Sequence, residues 1–148
     1  MKITNSIEIN RPAETVVGLL ENHDNYFKWD NTLESYETFI GDPGEVGAKT
    51  RYFFKLGKKK NDIIEAIETV TYRDFPKEYN ATYETMGFKI MQRNFFERKS
   101  QNITQWIIEQ ECELNGMNRL FSWLFRLAFK KRIQKSMIQF KKFAEKTE

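Results

Sequence analysis

Few residues in this chain could do chemistry, and they are scattered. The single histidine, His23, sits in the polar run Asn22-His23-Asp24-Asn25, and the single cysteine, Cys112, near the end of an alternating segment. A Cys–His nucleophile needs both side chains within hydrogen-bond reach, and nothing in their spacing places them so. His23 reads as a surface residue and Cys112 as a small buried filler. One cysteine excludes an internal disulfide and gives no zinc-ligand spacing. The acidic residues lack the spacing of a metal cage, and there is no Gly-rich phosphate loop with a lysine, no dinucleotide fingerprint and no HExxH. No catalytic cluster, metal or cofactor is expected. What remains is a carboxylate, Glu68, inside a long alternating run, and an abundance of aromatics, with thirteen Phe, six Tyr and three Trp. Isolated groups among aromatic side chains suit binding better than bond-making.

Alternation and punctuation set the elements that must position these groups. Ile3, Ile7 and Ile9 mark an opening strand with a polar break at Thr4 to Ser6. Pro12 occupies an early helical position, and Ala13 to Leu20 forms a short helix with Val16, Val17, Leu19 and Leu20 mostly inward. Asn22 to Asn25 breaks it, and Tyr26-Phe27-Lys28-Trp29 adds another helical turn. Strands are expected over 33–40, 49–56, 63–73, 79–85, 88–98 and 103–114. The connections are the Gly- and Pro-rich run 41–47, the basic turn Gly57 to Asn61, Asp74-Phe75-Pro76, a turn near Gly87 and Ser100-Gln101-Asn102. Asn115-Gly116 forms the turn before a long helix from Met117 to Glu148. Some thirty residues give a rod of roughly 45 Å, stable only if one stripe packs on something.

Period-two reading sorts the faces. Ile64, Ala66, Glu68, Val70 and Tyr72 share one side of their strand, opposite Ile63, Glu65, Ile67, Thr69 and Thr71. Tyr52, Phe54 and Leu56 share a side, as do Trp106, Ile108, Gln110, Cys112 and Leu114. In 88–98, Met91, Arg93 and Phe95 compete with Phe88, Ile90 and Phe96 for the inner face, and the register stays open. On the helix, Leu120, Leu124, Leu127, Met137, Phe140 and Ala144 form the expected inward track, flanked by Phe121, Phe125 and Phe129.

The 148 residues suit a single domain spanning 1–148. Hydrophobic residues make up 40% and charged residues 30%, the balance of a chain that is neither disordered nor membrane-spanning. Lys2 to Glu8 alternates where a secretory signal would be continuously apolar, so a reducing cytoplasm is the expected location. Net charge is only +3, but residues 116–148 hold nine Lys or Arg against two Glu. That basic face is either a solvated helix surface favouring the C-terminal end of the dipole or a surface steered toward an anionic partner. The phenylalanines beside it open three outcomes: a homodimer, docking on an anionic membrane, or a patch covered by Tyr26, Phe27 and Trp29. No specific nucleic-acid binding is expected, for no recognised module accompanies the charge.

The order of motifs resembles the START/Bet v1-like superfamily (SRPBCC; polyketide cyclase/dehydrase and lipid transport proteins). Residues 7–16 (Ile-Glu-Ile-Asn-Arg-Pro-Ala-Glu-Thr-Val) are similar to its opening strand and first helix, and Trp29 to the tryptophan closing its second short helix. Gly41-Asp42-Pro43-Gly44-Glu45-Val46-Gly47 is similar to the turn between its second and third strands. Ile67-Glu68-Thr69-Val70 with Asp74-Phe75-Pro76 is similar to its fourth strand and exit, and the long terminal helix ending near Glu145 completes the pattern. The resemblance implies an α+β helix-grip fold: a curved antiparallel sheet of six or seven strands wrapped around the C-terminal helix, with two short helices after the first strand. It also implies a hydrophobic cavity between sheet and helix, and it turns the Glu68 side inward.

The expected ligand-binding set is then Tyr36, Tyr52, Phe54, Ala66, Glu68, Tyr83, Trp106, Ile108, Leu124 and Met137. Glu68 would anchor a ligand or act as a weak general acid; alternatively it lies at the cavity mouth, or in water through a bulge. The leading function is a binding or carrier protein for a hydrophobic or amphipathic small molecule such as a lipid, isoprenoid or polyketide-like compound. The alternatives are a cyclase or dehydratase acting on such a molecule, and a protein-interaction module.

Overall fold

A computed structural model describes residues 1–113 and 119–147. Strand β1 (Lys2–Ile9) leads into helix α1 (Ala13–Glu21), a 3-10 turn (His23–Asn25) and the single-turn helix α2 (Tyr26–Trp29). Six strands follow: β2 (Leu33–Ile40), β3 (Lys49–Lys55), β4 (Ile63–Asp74), β5 (Glu78–Thr85), β6 (Phe88–Ser100) and β7 (Ile103–Cys112). Helix α3 (Arg119–Lys146) ends the fold. Every ladder is antiparallel, in the order β1-β7-β6-β5-β4-β3-β2. The curved seven-stranded sheet wraps α3, with the two short helices after β1: a helix-grip fold. The expected turn at Asn115-Gly116, the helix start at Met117, Leu114 and Glu148 lie outside the described residues.

The polar break foreseen in the first strand does not occur. Asn5 is buried, but its amide donates to the Lys130 carbonyl (3.1 Å) and to Gln134 Oε1 (2.9 Å). An inward polar residue is tolerated in a strand when its partner waits on the opposing element. In β6 the inner face is settled as Ile90, Gln92, Asn94 and Phe96, while Met91 is exposed and Arg93 stacks over Phe95. In β4 the alternation holds through Val70 and then fails. A bulge between Val70 and Tyr72 shifts the register with β5, so Tyr72, expected inward, is 45% exposed.

Helix α3 corrects the sequence reading most. Met137, Phe140 and Ala144 are fully buried, in a core with Ile9, Val16, Val17, Phe96, Trp106 and Ile108. At about 100° per residue, that face continues backward through Phe129 and Phe125, not through the leucines. Phe125 accordingly meets Phe88 (5.3 Å between centroids) and stacks on Phe129 (5.6 Å). Leu120, Leu124 and Leu127 fall roughly 140–200° from Phe140 and are exposed, Leu120 by 67% and Leu124 by 51%. The expected inward track joined two leucine-rich and aromatic stripes that the helical period keeps on opposite sides.

Candidate functional site

Glu68 is central to the inner face of the sheet. It is buried, paired across β3–β4 with Thr50 and across β4–β5 with Tyr83. The Tyr83 hydroxyl donates to Glu68 Oε2 at 2.7 Å, while Oε1 is buried with no hydrogen-bond partner in the structure. Burial raises the Glu68 pKa, partly opposed by the Tyr83 bond. The phenols of Tyr26, Tyr52, Tyr79 and Tyr83 are also raised, first by burial and next by the nearby charges, Glu68 among them. They stay protonated, each an O–H donor or acceptor in a low-dielectric interior.

Helix α2 and the turn before it close one side of this cluster. Tyr26 stacks on Trp29 (4.5 Å) and leans on Tyr52 (5.6 Å) and Phe54 (6.1 Å). Asn22 caps the 3-10 turn by accepting from the Asp24 amide, which fixes His23 against Tyr36 (5.8 Å) and Tyr52 (6.5 Å). Tyr36 donates to Asp24 Oδ1 at 2.6 Å, and burial plus that bond push its pKa up to about 12. Arg132 reaches from α3 to lie over the Phe54 ring (5.7 Å).

His23 is therefore not the surface residue expected. Its Nδ1 is buried without a partner, and desolvation lowers its pKa despite Asp24 and Glu21. Proton linkage couples this shift to stability. Below about 6.5 the unfolded chain takes up a proton on this imidazole more readily than the folded one, so stability falls as pH drops through that range. His23→Phe is expected to flatten this acid-side loss between neutral pH and pH 5, read by urea unfolding at several pH values. An unchanged slope would place the imidazole in water.

The expected ligand set divides into three places. Glu68 and Tyr83 form the buried carboxyl–phenol pair, and Tyr52, opposite Ala66 on β4, links it through ring contacts to Phe54 and to Tyr36 on β2. Trp106, Ile108 and Met137 belong to the hydrophobic core below it, where Trp106 Nε1 donates to Asn94 Oδ1 at 3.1 Å. Leu124 lies on the outer face of α3. Sequence reasoning missed His23, Tyr26, Arg132 and a half-buried amide pair, in which buried Gln110 donates through Nε2 to Gln92 Oε1 at 2.7 Å and Gln110 Oε1 has no hydrogen-bond partner in the structure. Alternation had placed Gln110 inward. Gln92 was hidden by the open register, and Tyr26 and His23 sit in short turns with no period to read.

Among the described residues no group of three or more His, Cys, Asp or Glu could hold a metal ion. Cys112 is buried and free, and burial raises its pKa, so it has no thiolate character. A solvent-open cleft of ≈ 610 Å³ lies elsewhere, at the β4–β5–β6 rim between Ile63, Ile67, Met86 and Phe88.

The family described as "Polyketide cyclase / dehydrase and lipid transport" matches residues 1–145. The chain belongs to that family. Its helix-grip architecture is that of the SRPBCC/START/Bet v1-like superfamily, a fold typical of lipid- and small-molecule-binding proteins. A conserved protein from Geobacillus kaustophilus is similar with a TM-score of 0.80 at 17% identity, covering 99% of this chain and 96% of that one. A START superfamily protein from Mycobacterium smegmatis gives 0.77 at 13% identity, with 97% of both chains covered. Norcoclaurine synthase from Thalictrum flavum, solved with dopamine and hydroxybenzaldehyde, gives 0.75 at 12% identity, covering 100% and 88%. At such identities these likenesses establish the shared fold. No curated protein matches by sequence.

Proposed function

We propose that this family member binds an amphipathic small molecule between sheet and helix, its polar head on Glu68 and its apolar part among Tyr26, Tyr52, Phe54 and Ala66. One observation carries the reading: a buried carboxyl that uses one oxygen on Tyr83 and leaves the other without a partner. A buried acceptor left empty costs about 1–3 kcal/mol, a cost a ligand N–H or O–H removes. His23 Nδ1, buried without a partner beside Tyr52, adds a second unfilled polar atom next to the cluster, so the favoured ligand carries a polar head and is not a bare hydrocarbon. This site supports binding, with carriage as its use.

A cyclase or dehydratase reading has one observation in its favour. The Glu68–Tyr83 pair, with its carboxyl pKa raised, is composed for proton transfer to a held substrate. Native mass spectrometry of the freshly purified protein, followed by denaturing extraction, tests both readings. A co-purifying amphipath recovered unchanged after incubation supports the carrier; a product of altered mass supports the enzyme.

The apolar half of the site has its own test. Ala66 is buried opposite Tyr52, so Ala66→Phe fills the space beside the phenol. The fluorescent secondary amine N-phenyl-naphthylamine is expected to bind the wild type with micromolar affinity and Ala66→Phe at least tenfold more weakly, with the far-UV circular dichroism unchanged. Equal affinities in the two folded proteins would move the site away from β3 and β4.

A further inference from the structure

Helix α3 is amphipathic twice. Its inner face is used by Met137, Phe140 and Ala144 near the end and by Phe129 and Phe125 near the start. A second apolar stripe, Leu120, Trp123, Leu124 and Leu127, has the i, i+3, i+4, i+7 spacing of one helix face and points away from the sheet. All four residues are about half exposed or more. Together they present an apolar patch of a few hundred Å², the size that marks a contact site on a soluble protein.

Charge identifies what covers it. Lys130 and Lys131 follow directly, Lys135 comes one turn later, and all three are exposed. Lys131 lies within about 40° of the leucines on the helical projection. A second copy packed on this stripe would bring two such basic helices together, and like charges oppose that. An anionic bilayer complements both parts, taking the leucines and the indole into the headgroup–acyl boundary and the lysines onto its phosphates. No helix among the described residues is long and apolar enough to cross a membrane, so the contact is peripheral. Arg132 is not part of it, since its guanidinium lies over Phe54.

We infer that the outer face of α3, through Leu120, Trp123, Leu124 and Leu127 with Lys130, Lys131 and Lys135, docks reversibly on an anionic membrane surface. The test is flotation of the full chain with vesicles of phosphatidylcholine, with and without phosphatidylglycerol, at low and high salt. Flotation is expected with the anionic vesicles only, reversed by salt, with a blue shift of tryptophan emission from the exposed Trp123. The Trp123→Ser, Leu124→Ser protein is expected to lose flotation and the shift. Lys131→Ala with Lys135→Ala is expected to weaken partitioning on the order of twentyfold, since each lysine near an anionic surface contributes about fivefold. Both pairs are at exposed positions, and circular dichroism checks that the variants fold. No flotation at low salt, flotation indifferent to lipid charge, or a dimer in sedimentation that the serine variant abolishes would each overturn the proposal.

Discussion

Phe140→Ala is expected to lower the unfolding free energy by about 3–5 kcal/mol. Phe140 has no solvent exposure and lies edge-on to Trp29 (5.4 Å) and Trp106 (5.3 Å), with Phe143 alongside. It is the point where α2, β7 and α3 meet, so its loss leaves a cavity that three elements would have to move together to close. Domains of this size are held by about 5–15 kcal/mol, and the variant should approach the edge of folding at 37 °C. Leu127→Ala on the same helix is the matched control. Leu127 faces outward, and its truncation should change stability by no more than about 0.5 kcal/mol. Urea unfolding of the two variants measures both. A Leu127→Ala cost equal to that of Phe140→Ala would contradict the rotation of α3 described above.

That pairing also marks where the sequence was readable. In β3 and β7 the alternation of two placed Tyr52, Trp106 and Cys112 on the inner face, because a strand has two faces and each residue votes on the choice; in β4 it grouped Glu68 with Ala66 and Val70, and the family resemblance turned that side inward. A helix offers a continuum of rotations. The first half of α3 is apolar nearly all round, so several inward tracks fit it equally. Only the buried Met137-Phe140-Ala144 set, carried backward at a fixed pitch, decides between Leu124 and Phe125. A similar shortage of information explains Tyr72: one inserted residue beyond Val70 inverts the pattern, and no sequence signal announced the bulge. His23 failed for a different reason. Its neighbours Asn22, Asp24 and Asn25 are polar because they build the turn: Asn22 caps Asp24, Asp24 accepts from Tyr36, and Asn25 donates to the Leu19 carbonyl. Their polarity reported turn chemistry, and it was read as solvent exposure.

Glu68→Gln is expected to give a more stable protein that binds its ligand less well. In the ligand-free fold the carboxyl's raised pKa reflects an ion held away from water. Below the ordinary carboxylate range the folded and unfolded chains are both protonated at this position, and the group costs nothing by ionising. As pH rises past that range the unfolded chain releases its proton first, so stability falls until the folded carboxyl also ionises. Glutamine carries no such penalty and keeps an oxygen for the Tyr83 hydroxyl. The variant should match the wild type in acid and exceed it at neutral to alkaline pH by on the order of 1–3 kcal/mol, measured by urea unfolding across the range. Binding should move the other way. A ligand N–H or O–H on the carboxylate is a charge-assisted hydrogen bond worth about 1.5–3 kcal/mol, so N-phenyl-naphthylamine is expected to bind Glu68→Gln roughly tenfold or more weakly. Wild-type affinity should itself decline as the pH is lowered through the carboxyl's titration, while the glutamine protein shows a flat profile. A residue retained for packing alone would not couple a gain in stability to a loss in affinity. Unchanged affinity at every pH would remove Glu68 from the binding site, and unchanged stability would mean that water reaches the carboxylate.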